Sequence, residues 1–266
     1  MNLKRIPVSV CLTTGLLLVF PISAHAVTAN LSSGSATNLT TGATDGGTFS
    51  TIPGTTTIDF NSVTNPTPTT TGSGKNAVNS YKFTSGIVTY EWTTTGSTVA
   101  TTAIKQDQYA PPGPAGVKNN SKYLAVFAEP VTITFSQPLG YFGLDWGFAD
   151  TTNTIAFYKN SNDTNASTTF TCANVFPSST CSGADSAQSS SYVDFTANNA
   201  NDTFSKIVLS NGSGTGFETD NHAHRVRVPF GFSPGLGILG LGALGSIAGI
   251  KSKVQKWKLS SRTAVN

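Results

Sequence analysis

The strongest constraint on the fold is a recurring pattern of short runs in which apolar and polar residues alternate. In one such run Val131, Ile133 and Phe135 would share one face of a strand, and the two threonines between them would share the other. Gly, Asn, Ser and Pro separate the runs, and no long segment of the body repeats its apolar residues every 3.6 positions. Many short strands with turn residues between them predict an all-β fold, a single β-sandwich or jelly-roll domain.

Ten runs show the alternation, and each predicts a strand. They lie at residues 55–60, 81–83, 87–92, 123–127, 131–135, 141–146, 154–158, 191–195, 204–209 and 224–228. Residues 27–54 hold few bulky apolar groups, so we expect either a loose arm or a short edge strand there. The extracellular domain is predicted to span residues 27–227.

The N-terminus has the three parts of a secretory signal peptide. Lys4 and Arg5 form a basic start, an apolar run follows, and Ala24 and Ala26 supply the small-x-small pattern that a signal peptidase reads. The apolar run is shorter than the about 20 residues that a membrane-spanning helix needs. We therefore expect residues 1–26 to be a signal peptide that is cleaved after Ala26.

The C-terminus predicts a membrane-spanning helix at about residues 234–250. No charged residue occurs between Arg227 and Lys251, and the stretch is apolar and rich in glycine. A basic stop-transfer tail, residues 251–262, follows it and is expected to stay in the cytoplasm. Its charged residues are Lys251, Lys253, Lys256, Lys258 and Arg262.

A short motif stands immediately before this span. It is Val228-Pro229-Phe230-Gly231-Phe232-Ser233-Pro234. Together with the glycine-rich span and the basic cluster, it resembles the PEP-CTERM class of bacterial sorting signals, in its cyanobacterial PFE-like variant. That family usually carries Glu where this chain has Gly231. The resemblance covers residues 228–262 and implies an exosortase-like processing enzyme as a partner; an ordinary single-pass anchor remains the alternative.

The charge distribution excludes a basic surface for nucleic acid. Residues 27–250 hold nine of the sixteen Lys and Arg residues and all thirteen acidic ones, a net charge of about −4. Charged residues make up 11% of the chain, against about 25% in an average globular protein. Thr, Ser, Asn and Gly take their place, which is typical of an extracellular β protein.

The cysteines fit an oxidising compartment. Cys11 would leave with the signal peptide, so that Cys172 and Cys181 remain as a pair. We predict a disulfide between them that closes a short loop. Two cysteines alone are a poor zinc site.

No residue pattern predicts catalysis. Of the three histidines, His25 lies in the signal peptide, and His222 and His224 are two residues apart near the membrane end. No G-x-S-x-G motif is present. A glycosidase would need two carboxylates about 5–10 Å apart, and no spacing in the chain shows such a pair. We therefore expect no catalytic residues and no enzyme.

The densest aromatic region, residues 139–158, is the candidate ligand-binding site. Tyr141 and Trp146 could stack on sugar rings, and Asp150 and Asn153 could bind hydroxyl groups. The alternative, which we favour, places both aromatic residues in the core and uses Asp150 and Asn153 to shape a hairpin turn.

A second polar segment, residues 216–224, is the candidate metal site. Glu218, Asp220 and Asn221 offer oxygen ligands for a structural Ca²⁺. His222 and His224 would share one side of a strand and could hold a transition metal instead. No other cofactor is expected.

These features predict an exported, non-enzymatic cell-surface or extracellular-matrix protein, anchored by its C-terminal helix and then sorted. Expected partners are signal peptidase, the exosortase-like enzyme, the membrane and an extracellular polysaccharide. The alternatives are a carbohydrate-binding module at the cell surface and a secreted hydrolase.

Overall fold

The domain is all-β, as predicted. The computed structural model describes residues 26–95, 102–106, 112–113, 119–147, 149–177, 181, 191–212 and 216–227. The strands are β1 (Val27–Ser32), β2 (Thr56–Ile58), β3 (Thr69–Thr71), β4 (Val78–Ser85), β5 (Val88–Thr95), β6 (Ala103–Gln106), β7 (Lys122–Val126), β8 (Val131–Gly147), β9 (Asn153–Tyr158), β10 (Thr168–Thr171), β11 (Ser191–Ala197), β12 (Phe204–Asn211) and β13 (Phe217–Val226). The helical elements are α1 (Cys172–Val175) and one 3-10 turn (Gly74–Asn76).

Each of the ten predicted strands overlaps an observed one, and two of them belong to a single strand. Residues 131–135 and 141–146 are both part of β8, which runs through Pro138 without a break. Proline fits here because residues 136–138 are exposed. Strands β3, β6 and β10, each three or four residues long, were not predicted.

Strand β8 is the centre of one continuous antiparallel sheet. Its first half, Val131–Phe135, lies between β5 and β12. Its second half, from Leu139 to Gly147, lies between β11 and β13. The remaining strands extend these two groups: β3 and β4 beyond β5, β9 and β10 beyond β12, β1 beyond β11, and β2, β6 and β7 on the side of β13.

Side chains of the two strand groups pack against each other in the core. The ring of Phe157 in β9 lies 5.0 Å from that of Phe195 in β11. On the other side of β8, Tyr90 in β5 lies 5.8 Å from the ring of His222 in β13. The side chains that point from β8 into this core define what we call the inner face, and its second half contributes Phe142, Leu144 and Trp146.

The opposite face of the second half of β8, the outer face, is also buried. Tyr141, Gly143 and Asp145 alternate with the inner-face residues and are shielded from solvent. Residues 33–53 lie over them: Ser50 hydrogen-bonds to Tyr141, Ile52 packs beside it, and the backbone of Thr48 contacts Asp145. The segment predicted as a loose arm or an edge strand is therefore an edge strand, β1, followed by a packed cover.

The predicted disulfide is present. Cys172 and Cys181 are joined, with their Cα atoms 5.9 Å apart. The loop holds Phe176 against the ring of Trp146 at 5.4 Å, so it closes one end of the core.

Several predictions concern residues outside the described ranges, namely the signal peptide apart from Ala26, the 228–234 motif, the helix near 234–250 and the basic tail. In the part of the chain that the structure describes, no helix has the length and apolarity that crossing a membrane requires. Ala26 itself accepts a hydrogen bond from Asn198, 3.1 Å away.

Candidate functional site

The four candidate sugar-binding residues are all buried. Trp146 lies in the inner face, with its indole nitrogen donating to Asn153 Oδ1 at 3.3 Å. Tyr141 lies in the outer face, where its hydroxyl donates to Asp194 and accepts from Ser50. Neither ring presents an open surface, so the structure favours the interpretation that places both in the packed interior.

Asp150 and Asn153 form a turn. The backbone N–H of Asn153 donates to the carbonyl of Asp150 at 3.2 Å, and the N–H of Asp150 donates to Asn153 Oδ1 at 3.1 Å. The turn leads from β8 to β9, but β9 pairs with β10 and β12 rather than with β8. The predicted hairpin is therefore wrong, although the turn itself is present.

The candidate calcium ligands lie in β13 and are buried. Glu218, Asp220 and Asn221 are each at most 1% exposed. Asp220 is directly opposite Asp145 on β8, whereas Ala223 is opposite Gly143, so β13 has one extra residue between these pairs. This β-bulge places Asn221 at a φ of +48°, in the left-handed region that Asn tolerates better than most residues.

The bulge lies in a group of polar side chains on the outer face, which we call the oxygen cluster. Its members are Asp45, Asn119, Ser121, Asp145, Asp220 and Asn221. They come from two neighbouring strands, from the cover and from the segment before β7.

Close approaches at Gly47 show how tightly the cluster is packed. A Cβ atom placed on Gly47 would lie 2.6 Å from Asn221 Nδ2, 3.2 Å from Asp45 Oδ1 and 3.3 Å from Asn119 Nδ2. Three side chains that are far apart in sequence therefore meet at one glycine. Glycine is required there because any side chain would occupy the space that they fill.

Hydrogen bonds satisfy only part of the cluster. Asp145 Oδ2 accepts from the backbone N–H of Thr48 at 2.6 Å, and Asp220 Oδ1 accepts from the N–H of Asn221 at 2.7 Å. The hydroxyl of Ser121 lies 2.8 Å from Asp220 Oδ2 and 2.5 Å from Asn119 Oδ1, but it has one proton to donate. Asp145 Oδ1 and Asn221 Oδ1 are buried without a hydrogen-bond partner.

Burial dominates the electrostatics of the cluster. It raises the pKa of Asp145 to about 7; the hydrogen bond from Thr48 opposes this shift, and the charge of Asp45 adds to it. Burial also raises the pKa of Asp220 well above its usual range, and Asp45 again adds to the shift. The described residues contain one ion pair, Lys82 with Glu91, which does not involve the cluster.

As the side chains stand, no three His, Cys, Asp or Glu residues of the described ranges lie close enough to share a metal ion. The cluster therefore has two carboxylates buried side by side, on Asp145 and Asp220, and a third, on Asp45, that is nearer to solvent.

The two histidines lie on the inner face. His222 is hydrogen-bonded through both ring nitrogens, to Tyr90 and to Thr219, each at 2.9 Å. Burial lowers its pKa to about 3, and neighbouring His224 contributes to the shift. A ring that is bonded on both sides and kept neutral is a core residue, so this arrangement favours a structural role over transition-metal binding.

A cleft of about 990 Å³ lies near the end of β13. His224, Arg225 and Arg227 line part of it, and both arginines donate to backbone carbonyls, of Pro53 at 3.3 Å and of Asn199 at 2.9 Å. The juxtaposed carboxylates of Asp145 and Asp220 do not line this cleft and are fully buried. A glycan could not reach them in this conformation.

Of the six cluster residues, the sequence pointed to Asp220 and Asn221 but not to Asp45, Asn119, Ser121 and Asp145. No local motif joins these residues, since Asp45 and Asp220 are separated by most of the domain. The one available signal was an acidic residue inside the apolar run 141–146, at Asp145.

No known protein family, curated protein or solved structure matches the chain.

Proposed function

We propose that the protein is an exported, non-enzymatic surface or extracellular-matrix protein, directed to the cell surface by a C-terminal exosortase-type signal. The observation that carries the proposal is the order of features along the chain. A leader-like segment precedes a disulfide-closed all-β domain, and its last strand ends at Val226, two residues before the Val228–Pro234 motif. The glycine-rich apolar stretch and the basic cluster then follow.

The disulfide supports export independently of the two ends. Disulfides persist in oxidising compartments and are rare in the reducing cytosol. Here the bond between Cys172 and Cys181 uses both cysteines that would remain after removal of the leader.

We also propose that the sheet closes on itself as a β-sandwich, with β8 passing from one layer to the other. A facing ring pair supports this. Phe157 lies on β9, which is joined to the first half of β8 through β12, whereas Phe195 lies on β11, which pairs with the second half.

Burial of the polar groups supports a non-enzymatic role. The opposed carboxylates of Asp145 and Asp220 are inaccessible, and the histidines are packed against aromatic rings. A sugar-binding role has no support at Tyr141 and Trp146, since both are buried. We still propose an extracellular polysaccharide as a partner of the protein at the cell surface, but not through the rings of Tyr141 and Trp146.

Intact-mass analysis of the protein from its native host tests the proposal. We expect a chain that begins at Val27, ends between Pro229 and Pro234, and is found outside the membrane fraction. Replacing the motif residues in a Pro229→Ala/Phe230→Ala variant should retain a chain that ends at Asn266 in the membrane. Thr263→Ala, a change beyond the basic tail, is the matched control and should be processed normally.

Two results would overturn the proposal. Wild-type protein that extends to Asn266 in the membrane would make residues 234–250 a plain anchor. A chain that retains Met1 and is found in the cytosol would contradict export altogether.

A further inference from the structure

We propose that the oxygen cluster binds one calcium ion between the outer face of the sheet and the segments that cover it. The ligands would be the carboxylates of Asp45, Asp145 and Asp220, the amide oxygens of Asn119 and Asn221, and the hydroxyl of Ser121. Neither export nor sorting enters this inference, which rests on the domain alone.

Two carboxyl groups are buried against each other in the cluster. Asp145 and Asp220 are opposite each other on adjacent antiparallel strands, and both are fully buried. If both were ionised, they would repel each other across the two strands, and a buried carboxylate without a partner is costly. A divalent cation between them converts that repulsion into attraction.

Asn221 adds an unpartnered oxygen that does not belong to a carboxylate. Asn221 is fully buried, and its Oδ1 lacks a hydrogen-bond partner, as does Asp145 Oδ1. The Asn221 amide reaches into the cluster, since its nitrogen is 3.4 Å from Asp45 Oδ1. Buried polar atoms are almost always satisfied, so an orphaned oxygen on each of these two cluster residues indicates a missing partner.

Ser121 faces more acceptors than its hydroxyl can serve. Its oxygen approaches both Asn119 Oδ1 and Asp220 Oδ2 at hydrogen-bonding distance, and one proton cannot serve both contacts. Oxygens crowd together in this way around a cation, which attracts all of them.

The chemistry of the ligands selects calcium. All of them are oxygens, which hard cations prefer, and none of the six side chains offers an imidazole nitrogen or a thiolate sulfur for zinc or copper. Six side chains provide the about six to eight oxygens that Ca²⁺ takes, in an irregular arrangement that Mg²⁺ accommodates poorly. Because the three carboxylates do not yet surround one point, binding would draw in Asp45, the least buried of them.

The test uses the purified full chain after dialysis against EGTA. Addition of about 10 mM CaCl₂ should raise Tm by about 5–10 °C, the shift for a site with a Kd near 10⁻⁴ M in a domain of this size. Calorimetric titration should give one Ca²⁺ per chain, and the same concentration of MgCl₂ should give a much smaller shift.

Variants locate the site. Asp145→Asn keeps the side-chain shape and an acceptor for Thr48, so it should fold without calcium and lose the Ca²⁺-dependent shift. Asn221→Gly tolerates the positive φ and should weaken binding at least tenfold. Asp194→Asn is the matched control, because Asp194 lies on the same sheet face but bonds to Tyr141 outside the cluster.

The proposal is overturned if wild-type protein shows neither heat of binding nor a Tm shift with calcium. It is equally overturned if calcium raises the Tm of Asp145→Asn as much as that of wild type, or if magnesium and calcium give the same Tm shifts in wild type and in all variants. Circular dichroism and cooperative melting of each variant without calcium would establish that loss of binding is not loss of folding.

Discussion

The two faces of the second half of β8 are equally buried but are packed by different chemistry. On the inner face Phe142 and Trp146 contact other aromatic rings. On the outer face Tyr141 and Asp145 contact hydroxyl, amide and backbone N–H groups. The contribution of the inner face to the stability of the fold therefore depends on its buried apolar area and on how well the side chains fit together. The contribution of the outer face depends on whether every buried polar atom has a partner.

The largest expected effect comes from the inner face. Trp146→Ala should lower the free energy of unfolding by about 3–5 kcal/mol, because it removes a fully buried ring and leaves a cavity. Urea unfolding with calcium and with EGTA should give the same loss, since the ring does not contact the oxygen cluster. A loss below about 1 kcal/mol would show that this core is not packed as described.

The disulfide, whose loop packs against Trp146 of the inner face, should contribute somewhat less to the free energy of unfolding. Replacing both Cys172 and Cys181 by serine should lower the free energy of unfolding by about 2–3 kcal/mol, from the chain-entropy cost of a short loop. Dithiothreitol should bring wild type to the same value and leave the double variant unchanged. If dithiothreitol destabilised the two proteins equally, its effect would not come from this bond.

Crowding of the outer face predicts an intermediate effect. Gly47→Ala should cost about 1–3 kcal/mol, because its methyl group would lie 2.6 Å from Asn221 Nδ2. Gly212→Ala is the matched control, since the nearest atom there is at an ordinary 3.7 Å. Thermal melts of both variants test the comparison, and equal costs would show that the cover packs loosely.

The smallest expected effect is the loss of one outer-face hydroxyl. Tyr141→Phe should cost about 1–2 kcal/mol, because it leaves Ser50 and Asp194 without their shared partner. Tyr81→Phe, a half-exposed tyrosine stacked on Trp92, should change stability by less than about 0.5 kcal/mol. A Tyr141→Phe variant as stable as Tyr81→Phe would mean that these hydrogen bonds contribute nothing net.

The strands were predictable because their signal is local. The alternation of apolar and polar residues in 131–135 and 154–158 predicts a strand with one buried and one less buried face, and the structure has strands in both places. Joining 131–135 to 141–146 in one strand was not predictable, because Pro138 between them resembles a break. It is accommodated because residues 136–138 are exposed and the strand changes partners around that point.

Only two of the six residues of the oxygen cluster were predictable, because the cluster is a tertiary feature. Asp220 and Asn221 stood out as neighbours in one polar segment, but their partners come from the cover, from β8 and from the segment before β7. Register brings Asp145 opposite Asp220, and register depends on the whole sheet. Sequence analysis already favoured burial of Trp146 and Tyr141. Because the two residues are five apart in one strand, their side chains lie on opposite faces, and only the packed cover explains why Tyr141 is buried as well.

The most direct test of the contrast between the two faces is an amide-resolved NMR titration of the full chain with calcium. The account predicts chemical-shift changes centred on the amides of Thr48, Ser121 and Asn221, which donate to oxygens of the cluster. The chemical shifts of inner-core amides, such as those of Ile155 and Ile207, should not change. Absence of any change, or changes centred on the inner core, would contradict the claim that the outer face is built around a cation.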